Sequence, residues 1–485
     1  MYDVAIIGAG VTGAAVAREL SRYQLKVIVL ERGADVAMGA SRSNSGIVHA
    51  GFDCVPGTLM ARLNVLGSRL MPEVCRELSV PWKNIGSLVL AFHEEEVQAL
   101  HKLKHQGDEN GVPGLAILSG DEVRQREPNI SRDVVAALWA PTAAITCPYE
   151  LTLALLENAI TNGAEARFGF AVTGMRRQDG VYALTSAKGE TITSRFVVNA
   201  AGLYSDEINS MAGGRPFVIK PRKGEYMMLD RSVGSMVGTV VFQTPGKLGK
   251  GVLVSPTVDG NVYAGPTAVN ITNKCDTATT PEGLWYLKKL SRKSVPALPL
   301  NKCITTFAGL RAVAERGGGG KSDFIIGREP DAPGFVNAAG MCSPGLSSSP
   351  AVAQLVAEEL ALAGLALDKK GSFNPCRART KAFRDMDDCE RRAAIAEDPL
   401  HAHIVCRCET VTEAEIVRAI HSPIPATTMD GIKRRTRAQM GRCQGGFCGP
   451  RILEIISRET GMPMGEITKF GGNSWLVREK EAGQC

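Results

Sequence analysis

Hydrophobic and polar positions divide the chain into stretches of different texture. It opens on a β-branched run, Val4-Ala5-Ile6-Ile7, then a glycine-rich turn, an apolar helical pattern over 14–23 and a second buried strand over 26–30. Alternating runs over 169–175, 181–186 and 191–198 predict antiparallel strands, separated by the turn pairs Asp179-Gly180 and Lys188-Gly189. Asn337-Ala338-Ala339-Gly340 leads through Ser343-Pro344-Gly345 into an apolar helix over 351–363. A charged stretch over 368–397 reads as a linker, and from about His401 clustered cysteines and a basic run begin. No apolar run reaches the length of a membrane span, and no 20–50-residue repeat is visible.

Composition narrows the class. At 485 residues the chain has room for about three domain-sized units. Its 44% apolar and 22% charged residues are those of a globular protein. A net charge of +6 is too small to argue for nucleic acid. Thirteen cysteines, an odd number and mostly scattered, suit a reducing compartment, and Met1-Tyr2-Asp3-Val4 lacks a secretory pattern, so a cytoplasmic location is expected.

Gly8-Ala9-Gly10-Val11-Thr12-Gly13 sits between a strand and a helix, and Glu31 ends the next strand 23 residues after Gly8. This context makes a G-x-G-x-x-G a dinucleotide site. Gly8 permits the turn, Gly10 admits a pyrophosphate to the helix N-terminus, and Gly13 lets helix pack on strand. The Glu31 carboxylate can accept from a ribose. A glycine turn without a ligand is the plain alternative. The small polar loop from Gly39 to Gly46 and on through His49 to Gly51 suits an extended flavin cofactor. No second fingerprint in such a setting is present, so one dinucleotide, FAD, is expected, with no NAD site.

The first turn, Glu31-Arg32, the Ser41–Gly51 loop, Val197-Val198-Asn199-Ala200-Ala201-Gly202 and Gly309-Leu310-Arg311 together resemble the D-amino-acid-oxidase-like (DAO) superfamily of FAD oxidoreductases over residues 1–365. Within it they are most similar to glycerol-3-phosphate dehydrogenase catalytic subunits and L-2-hydroxyglutarate-oxidising relatives. The resemblance implies an α/β Rossmann-type FAD-binding domain (about 1–80, 145–215 and 325–365) with an inserted antiparallel substrate domain (about 81–144 and 216–324). It also implies cofactor contacts from Arg32, Ser41, Ser43, Asn44 and Gly46, from Ala201 and Gly202 near the adenine half, and from Gly345, Leu346 and Ser347 near the flavin ring.

His49 lies in the glycine- and serine-rich loop. Oxidising an alcohol needs a base for the hydroxyl proton, and histidine titrates in the right range; a hydrogen bond to the cofactor or backbone is the alternative role. The resemblance places Arg311 on the anionic end of the substrate, and a guanidinium can grip a carboxylate or phosphate through two parallel bonds. Its alternative is an ion pair with Glu315 along a helix, or a salt bridge in the core. Lys223 and Tyr226 read as an edge strand beside the cavity, and Glu315-Arg316-Gly317-Gly318-Gly319-Gly320 as a loop, either lid or surface excursion.

Cys406-Arg407-Cys408 and Cys443-Gln444-Gly445-Gly446-Phe447-Cys448 form a C-x-C–x34–C-x4-C pattern. Four thiolates in two close pairs can hold an iron–sulfur cluster or a zinc ion. Residues 401–465 resemble the small helical bacterioferritin-associated-ferredoxin-like module that binds a 2Fe–2S cluster, although its second pair is more widely spaced than in the free-standing ferredoxin. The resemblance favours the cluster, preceded by a linker over 366–400 and followed by a tail over 466–485. The basic run Lys433-Arg434-Arg435-Thr436-Arg437, with Arg442, reads as a solvated face, a source of positive charge for the cluster, or a docking patch.

The expectation is an FAD-dependent dehydrogenase of a small anionic alcohol, glycerol-3-phosphate first, passing electrons through the cluster to a flavoprotein or iron–sulfur partner, with a hetero-oligomer in view. A 2-hydroxy acid or amine substrate, a plain oxidase and a non-catalytic electron-transfer subunit are the alternatives.

Overall fold

The computed structural model describes residues 1–245, 251–316 and 322–477. The chain forms two compact units, one of Met1–Arg32 and Val36–Arg377, the other of Gly33–Asp35 and the chain from Ala378 onward.

In the first unit, Tyr2–Ile7 runs parallel to Val27–Glu31 on one side and to Thr191–Asn199 on the other. Glu165–Phe168 and Phe335–Ala339 extend the parallel arrangement at either flank. Strands buried on both faces need unbroken apolar runs, and Val4, Ala5 and Ile6 are all fully buried. The helices Val11–Leu20, Pro148–Thr161 and Gly345–Leu362 pack together, Val11–Leu20 touching both others. Val172–Gln178, Val181–Ser186 and Thr191–Asn199 form the antiparallel meander, and Asp179 (φ 51°) and Gly180 (φ 80°) both take the left-handed backbone that a two-residue hairpin favours.

A second, nine-stranded sheet runs in the order Val269–Asn270, Val218–Leu229, Val262–Gly265, Leu253–Pro256, Val240–Gln243, Ser87–Ala91, Ala136–Ala140, Ala116–Ser119, with Cys303–Glu315 paired to the far side of Val218–Leu229. Period-two alternation feeds two cores. Leu88 and Leu90 join Leu229, Val254 and Val262 on one face, while Val89 joins Leu138, Phe242, Leu253 and Tyr263 on the other.

Two helices differ from the sequence expectation. Leu59–Glu77, capped by Thr58 Oγ1 accepting from Ala61 N at 3.1 Å, is not among the elements expected from the sequence. The late helix begins at Gly345 rather than 351 and runs through Pro350. Proline there cannot donate to the Leu346 carbonyl; Ser349 Oγ donates to it instead at 2.9 Å.

The second unit pairs Ile404–Cys406 with Val411–Thr412 and packs the helices Glu413–Ile420, Met429–Thr436 and Gly449–Thr460 around Ile416, Met429, Ile432, Ile452 and Ile456. The stretch read as a linker is ordered. Residues 366–377 belong to the first unit, where Arg377 Nε meets Glu157 Oε2 at 2.6 Å. Past Ala378 the helix Asp388–Glu397 opens on a capping box of Asp387 and Glu390. Its charges pair locally, which a reading of charge density as solvation misses. Within the tail, Ile467 is fully buried and Thr468 O accepts from Met429 N at 3.2 Å; residues 478–485 lie outside the described residues.

Candidate functional site

The first turn is closed by contacts that admit glycine alone. Gly8 has φ +108°, and a Cβ there would lie 2.4 Å from Ala200 O; a Cβ on Gly13 would lie 1.9 Å from Gly8 O. Glu31 Oε2 accepts from Ala9 N at 2.8 Å, and Ser41 Oγ accepts from Val11 N at 2.9 Å at the start of the helix Gly10 caps. Arg32 stacks its guanidinium 3.8 Å above the Tyr204 ring, beside Ala201 and Gly202. These residues surround one helix N-terminus, as a pyrophosphate cradle requires.

The loop from Ser41 to Gly51 is fixed from several directions. Asn44 donates to Ala40 O (3.0 Å) and Ser41 O (3.1 Å) and accepts from Gly46 N (2.9 Å). Gly46 (φ +65°) passes so close that a Cβ would lie 2.5 Å from Thr146 O. A Cβ on Gly309 would lie 1.8 Å from Ser43 O, so the Cys303–Glu315 strand rests directly on the loop. His49 N donates to Ser347 Oγ at 2.8 Å, His49 O accepts from Asn64 Nδ2 at 2.8 Å, and His49 Nε2 lies 3.3 Å from Ser343 Oγ. Gly345 and Leu346 begin the helix that carries the fully buried Ser347.

Arg311 lies on a strand, not a helix, and Glu315 pairs with Lys220 instead (2.6 Å), which removes the ion-pair alternative. Arg311 Nη2 donates to Thr267 O at 2.6 Å. Register sets Arg222 directly opposite Arg311, Gly224 opposite Gly309 and Tyr226 opposite Phe307, so these side chains share a face. Tyr226 stacks on Phe307 (4.7 Å, 9°) and its hydroxyl lies 3.3 Å from Ser45 Oγ. Burial lowers the Arg311 pKa and the Arg222 charge adds to it; burial raises that of Tyr226. Arg222 Nε donates to Asn270 Oδ1 at 2.9 Å, and among the described residues neither guanidinium has a carboxylate partner. Lys223 points away, to Asp276 Oδ2 (2.9 Å) and Ala278 O (3.1 Å). Of the proposed lid, Glu315 ends the strand and Gly317 to Gly320 lie outside the described residues.

In the second unit the four cysteines form two pairs. Cys408 Sγ lies 3.7 Å from Cys443 Sγ, and Cys406 pairs with Cys448. The Cys448 hydrogen bond, with the N–H groups of Gln439 and Glu409, lowers Cys406 to about 6, while Cys448, as donor to Cys406, is pushed up. The N–H groups of Phe447 and Gly445 lower Cys443. Seven described non-glycine residues have positive φ, and four of them, Thr410, Arg437, Gln439 and Gln444, flank these cysteines. Backbone in that region costs roughly 1 kcal/mol or more per residue, and at Gln439 it directs the N–H at Cys406 and Cys448. Two close thiol pairs match the ligation of a 2Fe–2S cluster, in which each iron takes two cysteines.

A family model described as FAD dependent oxidoreductase (DAO) matches residues 3–359, and one described as BFD-like [2Fe-2S] binding domain matches residues 404–458. The chain belongs to the DAO family of FAD dependent oxidoreductases. It is 47% identical over 477 residues to a glycerol 3-phosphate dehydrogenase of Caloramator mitchellensis, covering 98% of each chain. Among solved structures it is similar to the dithionite-reduced L-alpha-glycerophosphate oxidase of Mycoplasma pneumoniae with FAD bound, at 32% identity and a TM-score of 0.74, covering 78% of this chain and 99% of that one. It is also 31% identical over 284 residues to the mitochondrial L-2-hydroxyglutarate dehydrogenase of Homo sapiens, covering 55% of this chain and 61% of that one.

The cofactors of this DAO-family chain are therefore FAD and a 2Fe–2S cluster, and the first turn and the paired cysteines fit them. Of the residues singled out in the sequence, Gly8, Gly10, Gly13, Glu31 and Ser41 come together at the helix N-terminus. His49 and Ser347 meet at the start of the late helix. The side chains of Asn44 and Ser347 also bond the protein's own backbone, at Ala40 O, Ser41 O and Ile47 O, and so hold the loop in place. Sequence reasoning missed Asn64, Ser343 and Arg222. Arg222 carried a signal in its pairing with the strand of Arg311, which only register reveals. The basic run is not a solvated face: Arg434 and Arg435 close on buried Asp35, at 2.8 and 2.9 Å. No helix among the described residues is long and apolar enough to cross a membrane.

Proposed function

We propose that this chain is a dehydrogenase of glycerol 3-phosphate whose electrons pass through the C-terminal cluster to a partner protein. The observation that carries the reading is the pair of opposed guanidiniums, Arg222 and Arg311, on one face of the strands that rest on the flavin loop at Gly309. Like charges directly across a sheet are destabilising, and a bound anion relieves them. A phosphate, with two negative charges and three acceptor oxygens, matches two arginines better than a single carboxylate does. The likeness along the full length to a glycerol 3-phosphate dehydrogenase supports the same substrate.

Bound FAD supplies the hydride acceptor. Arg311, its orientation fixed by the Thr267 carbonyl, holds the anionic end of the substrate, and Arg222 shares the charge. The His49 imidazole takes the hydroxyl proton, and Ser343 Oγ, 3.3 Å from Nε2, orients the ring until substrate displaces it. Ser347 and Asn64 hold the His49 main chain on both sides, so that the imidazole is in place before substrate arrives. The stacked Tyr226 and Phe307 supply an apolar wall that excludes water and strengthens these charges. Electrons leave singly through the cluster, toward a flavoprotein or iron–sulfur acceptor.

The test is anaerobic flavin bleaching of the isolated chain by glycerol 3-phosphate, L-2-hydroxyglutarate and a panel of amino acids. Bleaching by glycerol 3-phosphate at the lowest concentration is expected. Preferential bleaching by L-2-hydroxyglutarate would move the reading to the 2-hydroxy acids, and bleaching by none would leave an electron-transfer subunit.

A further inference from the structure

Glu409 follows Cys408 directly, and its side chain is only 2% exposed. Its backbone N–H donates to Cys406 Sγ. Its carboxylate Oε2 takes Arg384 Nη1 at 3.0 Å and Arg437 Nε at 2.9 Å. Arg437 belongs to the cysteine loops themselves, at φ 68°. Arg384 comes from outside the segment matched by the [2Fe-2S] domain, on the short turn Phe383–Asp385. That turn is anchored by the Phe383 ring stacked on His401 (5.6 Å, 14°) and by Phe383 N donating to Glu415 Oε1 at 3.2 Å.

Two guanidiniums against one carboxylate leave one net positive charge in a site largely closed to water, where charge is weakly screened. Arg437 alone would leave a neutral pair. Asp385, 3.6 Å from Arg384 Nε, is 56% exposed and screened by solvent.

We propose that Arg384, supplied by the segment ahead of the cluster domain, sets the reduction potential of the 2Fe–2S cluster through the Arg384–Glu409–Arg437 triad. One-electron reduction adds a negative charge to the cluster without making or breaking a bond, so nearby positive charge favours the reduced form. Arg384 bonds to none of the four cysteines and is a positioning residue. It supplies charge, and it pins the carboxylate whose main-chain N–H is aimed at Cys406. The inference is independent of the substrate, because the cluster can be reduced chemically.

The experiment is a dithionite redox titration of the full chain, with the cluster followed by electron paramagnetic resonance. Counting charges in the triad, the wild type holds one positive charge, Arg384→Gln none, Glu409→Gln two, and the double variant one. The midpoint is expected to fall in Arg384→Gln, to rise in Glu409→Gln, and to return close to wild type in the double variant and in Arg384→Lys. An ion pair that serves only folding would lower the melting temperature of Arg384→Gln and leave the midpoints equal, which would overturn the proposal. If Arg384→Gln fails to hold its cluster, Glu409→Gln and Arg384→Lys still decide: a midpoint in Glu409→Gln at or below wild type refutes the charge mechanism.

Discussion

The substrate face and the cysteine loops solve the problem of placing charge in opposite ways. On the nine-stranded sheet, Arg222 and Arg311 belong to regular strands distant in sequence, and register alone brings them together. Around the cluster, Cys406 ends a strand, Cys448 caps a helix, and Cys408 and Cys443 lie in turns, with N–H groups of Gln439, Gly445 and Phe447 directed at sulfur. The sheet needs rigidity and leaves two cations for a ligand to neutralise. The loops bring their own counter-charges, with Glu409 already closed between two arginines. The contrast supports the proposal that the first unit selects an anion from solution, while the second holds an anionic cluster permanently.

The largest effect expected from this contrast is at the loops. Cys443→Ser should remove the cluster bands and most of about two iron atoms per chain, while flavin content and substrate bleaching persist. Loss of flavin bleaching together with the cluster would mean that the two ends are not separate. Next is His49→Gln, which should retain FAD but slow flavin reduction by roughly 10²–10⁴-fold, the range of general-base catalysis; stopped-flow absorbance reads it, and unchanged rates would leave His49 a structural role.

A smaller effect tests the sheet. Arg222→Gln removes one charge-assisted contact of about 1.5–3 kcal/mol, so the apparent constant for glycerol 3-phosphate should rise roughly tenfold or more, with the rate at saturation nearly kept. An equal loss toward a monocarboxylate would contradict a role in recognising phosphate.

The smallest effect is on pH stability of the second unit. Burial alone would raise Glu413, but hydrogen bonds and charge from Arg458 and Arg451 outweigh it and hold its carboxyl below the ordinary 4.5. A group lowered on folding stabilises fully above its unfolded value, and that contribution is lost as pH falls through the folded one. Thermal melts of the full chain should therefore show the second unit weakening below about pH 4.5, and Glu413→Gln should flatten that dependence.

What was legible in the sequence follows the same division. The first turn and the cysteine pattern are local, so spacing alone exposes them: Gly8 and Gly13 are close in sequence and touch in space. Arg311 and His49 stood out through family motifs, yet their partners did not. Asn64 sits on a helix not expected from the sequence, Ser343 in a short loop, and Arg222 in what reads as an edge strand. Each acquires its role only when elements tens to hundreds of residues apart are brought together. Charge density misled at Lys433 to Arg437, because Arg434 and Arg435 close on buried Asp35 rather than on water.

The proposed function requires one polypeptide to oxidise an anionic alcohol at FAD and deliver the electrons to its own cluster. Anaerobic addition of glycerol 3-phosphate to the full chain, followed by absorbance and by electron paramagnetic resonance, tests it most directly. Flavin bleaching accompanied by the signal of a reduced 2Fe–2S cluster is expected. A flavin that stays oxidised, or a bleached flavin beside a cluster that dithionite reduces but substrate never does, would contradict it.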